Sequence, residues 1–343
     1  MKTYLVTLAP EEPYFFGNEK TFLFENEANQ GQRGNSYYIR SERTPLQSTL
    51  MGMMRFLLMP YKDHRHPEQN APVIGSESFK IDATDQSFGV IKKIYPLFLM
   101  KDEEKLIVTP FDCKPNVTMY TPFSDYQSIM TADGEKLFAP GYDPKEGLAD
   151  SYLRLSDGRL VSCSDIFRAE TRVGNQNAAA GKNEKGFFKK EYCCLKDGYR
   201  FAFYVDLDDS AKLPDGKTQA FLGQGKSLFN VSFEEQENTL AEDVKKLLPA
   251  DVSYCLSDTF ADAQVLQYCK FAVIQTRDYR AYITNPDGKI TKDSVLYKLI
   301  KAGSVFIIKD KEDFGGLINK DNCQLAGFNC IVAKEKKYEC VCI

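Results

Sequence analysis

The sequence has no tryptophan, two histidines (His64 and His66) and no Cys-x-x-Cys pair. With so few imidazoles and no paired thiols, a zinc centre has almost no ligands to draw on, and no metal or cofactor is expected. Its ten cysteines are placed against disulfides as well: Cys193 and Cys194 are adjacent, and Cys340 and Cys342 lie one residue apart. They read as buried thiols of a reducing cytoplasm. No run reaches the roughly 18 apolar residues a membrane-spanning helix needs. The opening MKTYLVTLAPEEPYFF has one lysine and meets a Pro-bounded acidic break, so it reads as a first strand, not a signal peptide. What is present is the composition of a folded protein: 343 residues, 43% hydrophobic and 13% aromatic.

A net charge of −4 argues against a nucleic-acid partner until its distribution is considered. Residues 30–65 carry six basic side chains (Arg33, Arg40, Arg43, Arg55, Lys62, Arg65) against Glu42 and Asp63, a local +4. Residues 168–190 carry Arg168, Arg172, Lys182, Lys185, Lys189 and Lys190 against Glu170 and Glu184, again +4. The rest of the chain must then total −12. Local field, not net charge, decides anion binding, so two basic islands on an acidic body predict a bounded polyanion site and protein-facing surfaces elsewhere.

Along the chain, KTYLVTL alternates as a strand, and the helix TPLQSTLMGMMRFLLM follows a long basic loop. Thr44 reads as its N-cap with Pro45 at the first helical position. Residues 61–185 read as an irregular, strand-rich insertion. GFFKKEYCCLKDGYRFAFYVDLD reads as a hairpin turning at Lys196-Asp197-Gly198. The C-terminal part repeats the plan loosely, with helices expected in ENTLAEDVKKLLP and around 291–302 and a glycine before the strand in LAGFNCIVA. The expectation is an α+β protein of two ferredoxin-like (RRM-like) domains, 1–235 and 236–343.

Residues 220–227, AFLGQGKS, spell a relaxed nucleotide-binding loop, but both flanks disagree. A P-loop joins a buried parallel strand to a helix N-terminus. Here the upstream LPDGKTQ is polar, and the downstream LFNVSF alternates with period two, so Lys226 and Ser227 lead into a strand. What remains is a loop in which Gly223 and Gly225 can bring bare amides to a ligand, with Gln224, Lys226 and Ser227 as donor, cation and hydroxyl.

These segments together resemble the RAMP proteins of CRISPR effector complexes, which combine ferredoxin-like folds with a glycine-rich loop before a late strand. FLGQGKSLFNVSF resembles that loop. TPLQSTLMGMMRFLL, APEEPYFFGNEKTF and FRAETRVGNQNAAAGKNEKGFFKKEY resemble the handle-binding, Cas-five-like third subunit of the type III-B (Cmr) complex. The short LAGFNC loop and the short GQGKS depart from the pattern, which leaves the corresponding subunit of the type III-A (Csm) complex open.

The resemblance implies a non-catalytic, cytoplasmic subunit that binds the 5′ handle of the crRNA. It implies as partners the Cas-ten-type large subunit (Cmr2) and the Cas-seven-type backbone subunit (Cmr4). RNA would be held by Arg33, Arg40, Arg43 and Arg55, by the helix start at Thr44, Gln47 and Ser48, by a basic strap of Arg168, Arg172, Asn175, Lys182, Lys185 and Lys189, and by the loop Gly223, Gln224, Gly225, Lys226 and Ser227. The competing class is a RAMP-type repeat endoribonuclease, for which His64 or His66 is the available general base.

Overall fold

The computed structural model describes residues 1–17, 22–24, 36–62, 66–123, 126–131, 134–140, 142–143, 145–176, 186–214, 216, 218–223, 225–250, 252–284, 290–309, 314 and 321–333. In chain order the strands begin with β1 (Lys2–Pro10), β2 (Phe22–Phe24), β3 (Ser36–Arg40), β4 (Ile91–Ile94), β5 (Phe98–Lys101), β6 (Glu104–Val108), β7 (Gln127–Thr131) and β8 (Gly134–Phe138). They continue as β9 (Ser151–Arg154), β10 (Leu160–Ser162), β11 (Phe167–Gln176), β12 (Gly186–Leu195), β13 (Tyr199–Leu207), β14 (Thr218–Leu222) and β15 (Ser227–Glu235). The C-terminal part adds β16 (Val252–Cys255), β17 (Cys269–Val273), β18 (Thr276–Tyr279), β19 (Tyr282–Thr284), β20 (Ile290–Lys292), β21 (Tyr297–Ile300), β22 (Val305–Ile308) and β23 (Ile331–Ala333). The helices among the described residues are α1 (Gln47–Leu58), α2 (Pro67–Ile74), α3 (Cys163–Ile166), α4 (Leu240–Leu247) and α5 (Asp321–Leu325), with a 3-10 turn at Ala263–Tyr268. The class is α+β.

The main sheet runs β10-β9-β6-β5-β13-β1-β15-β14, with β4 also on β13, every pair antiparallel. Its centre is β13, where alternation delivers Phe201, Phe203 and Val205 to one face and Ala202 and Tyr204 to the other, all 0% exposed. On the first face Val6, Leu8, Phe229 and Val231 join them against Leu50, Met54 and Leu57 of α1. On the second, Leu5, Phe98, Met100 and Ile107 pack against Leu240, Val244, Tyr254 and Val332 of the C-terminal part. Burying each such side chain contributes about 1.5–3 kcal/mol. The C-terminal part is therefore a cover for the main sheet: Tyr254 Oη donates to Val108 O at 2.7 Å, and Phe328 stacks on Phe79 at 5.3 Å. Its own sheet has the order β17-β22-β16-β23, also antiparallel.

The strands β4, β5, β6, β9 and β10 of the stretch 61–185 extend the main sheet. Three expectations are corrected. The 186–207 segment turns where expected, with Gly198 at φ 83°, but its arms do not pair. β13 goes to the main sheet, whereas β12 joins a second sheet of order β11-β12-β3-β2. Thr44 is not an N-cap: the helix starts at Gln47, and the first bonds of its turn go to Leu46 O, from Thr49 N at 2.9 Å and Leu50 N at 3.2 Å. The helix expected around 291–302 is replaced by β20 and β21. Asp293 Oδ1 accepts from Val295 N at 3.2 Å, a local turn that competes with helix, and Tyr297 pairs with Tyr279 across strands.

Candidate nucleic-acid interface

Long strands β11 and β12 form an antiparallel ribbon, and β3 extends it on the β12 side in parallel register. Side chains opposite one another share a face. Arg172 stands opposite Lys190 and Glu170 opposite Tyr192; on the other face Val173 stands opposite Lys189 and Thr171 opposite Glu191. The β3 register then puts Tyr38 beside Lys189 and Arg40 beside Glu191.

Each face carries a layer of cations on aromatic rings. On the first, the Arg172 guanidinium lies 4.6 Å from the Tyr192 ring centre, and Lys190 Nζ lies 4.2 Å from that of Phe15 and 5.7 Å from Tyr192. The two rings meet edge to face at 5.6 Å. Burial pushes the Lys190 pKa down, so this ammonium gains by any anion brought to it. On the second face, Arg40 and Lys189 lie 5.6 and 5.3 Å from the Tyr38 ring centre. Tyr38 Oη donates to Glu191, Arg40 Nε donates to Tyr38 Oη at 3.0 Å, and Arg40 pairs with Glu191 at 3.2 Å.

The glycine loop abuts the first face. β14 and β15 pair as a hairpin with Leu222 opposite Ser227, so the loop caps two antiparallel strands and feeds no helix. Lys226 N donates to Gly223 O at 3.1 Å, closing the turn. Gly223 has φ +77°, and a Cβ there would lie 2.3 Å from Phe15 O. Gly225 is exposed, its nearest neighbours being Ser227 Oγ and the Tyr192 ring, both 3.8 Å from an added Cβ. Lys226 is exposed at φ 50°, a conformation non-glycine residues seldom adopt. The loop thus presents a bare backbone and one ammonium beside the Arg172–Tyr192–Lys190 layer.

The two glycines predict opposite behaviour. Gly223→Ala adds left-handed strain to a clash with backbone and is expected to destabilise by at least about 2 kcal/mol. Gly225→Ala should hold stability within about 0.5 kcal/mol or raise it. Urea titration of the two variants reads the difference.

The structure gathers some of the sequence-predicted residues and separates others. Arg40, Arg172, Lys189, Gly223, Gly225 and Lys226 converge on the ribbon and hairpin. Arg168 lies exposed on β11, and Asn175 occupies the position opposite Phe187 on the ribbon. Ser227 is buried and its hydroxyl donates to Pro13 O at 3.2 Å, so it serves the fold. Arg43 donates to both Asp150 carboxylate oxygens, at 2.5 and 2.9 Å, and lies 5.9 Å from the Phe167 ring centre at the foot of the ribbon. That hydrogen-bonded guanidinium holds the Asp150 carboxyl below its ordinary pKa.

The helix start is closed, not open. Gln47 is 6% exposed, with its amide 3.2 Å from where a Gly327 Cβ would sit, and Ser48 hydrogen-bonds Tyr279; both neighbours are C-terminal residues. Thr44 is half-buried just before it. Arg55 donates to Ile74 O at 2.8 Å and Gly75 O at 3.0 Å, tying α1 to the end of α2. Arg33, Lys182, Lys185 and Gln224 lie outside the described residues. The rings of Tyr38 and Tyr192 join the site without having been expected there, and so does Lys190, which the basic island contains but the expected RNA contacts do not; Phe15, against which Lys190 packs, is fully buried. The sequence K-K-E-Y in β12 carries both charge and ring.

Comparison with known proteins agrees with this geometry at the level of fold and family. Two solved structures with nearly the full length of this chain are similar to it, both from a CRISPR effector assembly. One is described as "Cryo-EM structure of the Type III-B Cmr-beta bound to cognate target RNA": TM-score 0.56, 12% identity, 97% of each chain covered. The other is the same assembly "bound to cognate target RNA and AMPPnP, state 1": TM-score 0.54, 12% identity, 96% of each chain. At that identity they show the fold. No curated protein matches the sequence. The family described as "CRISPR-associated protein (Cas_Cmr3)" matches residues 6–251, most of the chain. The chain belongs to the Cmr3 family of CRISPR-associated proteins.

Proposed function

We propose that this protein is a non-catalytic subunit of a type III-B Cmr effector complex that grips the repeat-derived 5′ handle of the crRNA. It joins the Cas-ten-type large subunit (Cmr2) to the Cas-seven-type backbone subunit (Cmr4). The observation that carries the reading is the meeting of a bare glycine hairpin with the Arg172–Tyr192–Lys190 layer. Single-stranded RNA is held by phosphate contacts together with bases stacked on aromatic or guanidinium faces, and this surface offers both. The fold supports it too. Strand orders β15-β1-β13-β5 and β23-β16-β22-β17, all antiparallel, support reading the two parts as ferredoxin-like units, with β14 in the place of the first unit's second helix.

The test is whether the purified protein or its complex carries small RNAs sharing one 5′ end. Tyr192→Ala is expected to weaken binding of a handle RNA about 5- to 150-fold, the stacking of one base. Lys226→Gly separates function from fold: stability holds or rises by up to about 1 kcal/mol as the left-handed strain is relieved. The slope of log affinity against log salt should fall by about 0.7, one phosphate contact. A preparation free of RNA, or variants binding as tightly as the parent, would sink this reading.

The nuclease alternative gains nothing from the geometry. The His66 ring lies tilted against that of Tyr61, their centres 4.6 Å apart, at the start of α2. That is beyond the far end of α1 from Arg43, a helix about 18 Å long at 1.5 Å per residue. His64 lies outside the described residues. A His64→Ala/His66→Ala double variant is expected to leave handle RNA binding unchanged, and loss of repeat cleavage in it would revive the enzyme.

A further inference from the structure

β14 ends the main sheet: one edge bonds β15, and the other meets no strand among the described residues. Native edge strands are usually blunted by lysine, proline or a bulge, and the sequence of β14, TQAFL, has no such residue. Its two faces differ sharply. Ala220 and Leu222 are buried in the α1-side core. On the opposite face Phe221 stands opposite Leu228 and is 66% exposed, while Gln219 stands opposite Asn230 and donates to its side chain at 3.3 Å.

That face is acidic. The Glu11 carboxylate accepts from the Asn230 amide, and Glu12 Oε1 accepts from Leu228 N at 3.0 Å. Glu234 follows further along β15 on the same side and is exposed. None of the described β14 or β15 positions facing this way is Lys or Arg. A polyanion would be repelled from an exposed ring framed by carboxylates, so the charge that favours RNA at the glycine loop disfavours it here.

We infer that β14 is a strand-addition site for an extended segment of a partner protein. That segment lays an apolar side chain on Phe221 and Lys or Arg over Glu11 and Glu12. Backbone pairing along the open edge gives affinity, and the ring and carboxylates select the sequence. The inference rests on the proposed reading only in that the partner is another subunit of the same complex; it does not require RNA on the other surface.

The test compares hydrogen exchange of the free chain with the chain assembled with its sister subunits and guide RNA. The amides of β14 that point away from β15 should exchange about tenfold or more slowly after assembly. Phe221→Glu and, separately, Glu11→Lys should cut recovery of one sister subunit about tenfold while RNA recovery stays at the parent level; Glu12, whose charge also reaches Arg172, is left in place. Equal exchange in the two states, parental assembly by both variants, or protection of β14 by RNA alone overturns the site. A parent chain that enters no complex overturns the membership and the site together, whereas one that assembles with β14 unprotected overturns the site alone.

Discussion

Replacing Arg277 with methionine is expected to lower folding stability by about 3–5 kcal/mol, the largest effect of any single change proposed for this protein. Arg277 of β18 is 15% exposed and spans two carboxylates: Nη1 lies 3.0 Å from Asp258 Oδ2, and Nη2 lies 3.2 Å from Glu42 Oε2. Asp258, 11% exposed, also accepts from Ala302 N at 3.0 Å. Removing the cation takes the countercharge from Asp258, 11% exposed, and that desolvated charge, more than the lost bonds, sets the cost. Arg277→Met combined with Asp258→Asn and Glu42→Gln should therefore recover most of the loss, which urea unfolding of the single and triple variants measures. Equal instability of the two would show that geometry, not charge, is at stake.

The consequence reaches the RNA surface. Glu42 bridges to Phe16, donating its N–H to Phe16 O at 2.8 Å, and stands between Arg40 and Arg43. Through the Phe16 bridge, one arginine of the C-terminal part thus fixes the segment whose Phe15 packs against Lys190 and Tyr192 on the face beside the glycine loop. A weakened handle affinity is expected in Arg277→Met even at temperatures where it remains folded.

How far the sequence reveals this arrangement depends on the range of the interactions involved. Period-two alternation in YRFAFYVDL and LFNVSF identified two central strands, because a strand's own side chains record which face is apolar. The rejection of a P-loop in AFLGQGKS held for the same reason: the alternation after Ser227 belongs to β15. Pairing is another matter. Nothing within GFFKKEYCCLKDGYRFAFYVDLD says that its arms separate into different sheets, since the partners of β12 are β11 and β3 and those of β13 are β1, β4 and β5. The short strands within 61–185 read weakly alone because their stability comes from pairing: β4 and β5 with β13, β6 with β5, and β9 with β6. At the site, the charges are legible in the sequence, whereas their aromatic partners are brought to them by cross-strand register, which the sequence does not display. The fate of Arg55 and Gln47 was hidden because a side chain turned inward on backbone carbonyls reads like one turned to solvent.

A second large effect should appear with pH. Asp112 is 2% exposed, and burial pushes its pKa up to about 6, against which the hydrogen bond from Tyr120 Oη, 3.0 Å from Oδ1, works only partly. Burial, and then the charge of Asp112, raise the pKa of Tyr126 nearby, whose hydroxyl finds no hydrogen-bond partner among the described residues. In the unfolded chain this carboxyl titrates near 4. Between about pH 4 and about pH 6 the folded state therefore keeps a proton that the unfolded state has released, and stability falls as pH rises through that window. Two pKa units correspond to roughly 3 kcal/mol, fully lost above pH 6. Asp112→Asn has no charge to bury, and its amide oxygen can still accept from Tyr120. The variant should be more stable than the parent at pH 7 by up to roughly 3 kcal/mol, with the gap closing towards pH 4. Urea titrations at several pH values across the window decide it: parallel stability curves for the two proteins would mean that Asp112 ionises in the fold as it does in water. Phe111 N donates to Gly303 O at 2.8 Å beside this carboxyl, so its charge is placed where the main sheet meets its C-terminal cover. Ionising it loads that junction, and the parent should lose protection from hydrogen exchange there first as pH rises.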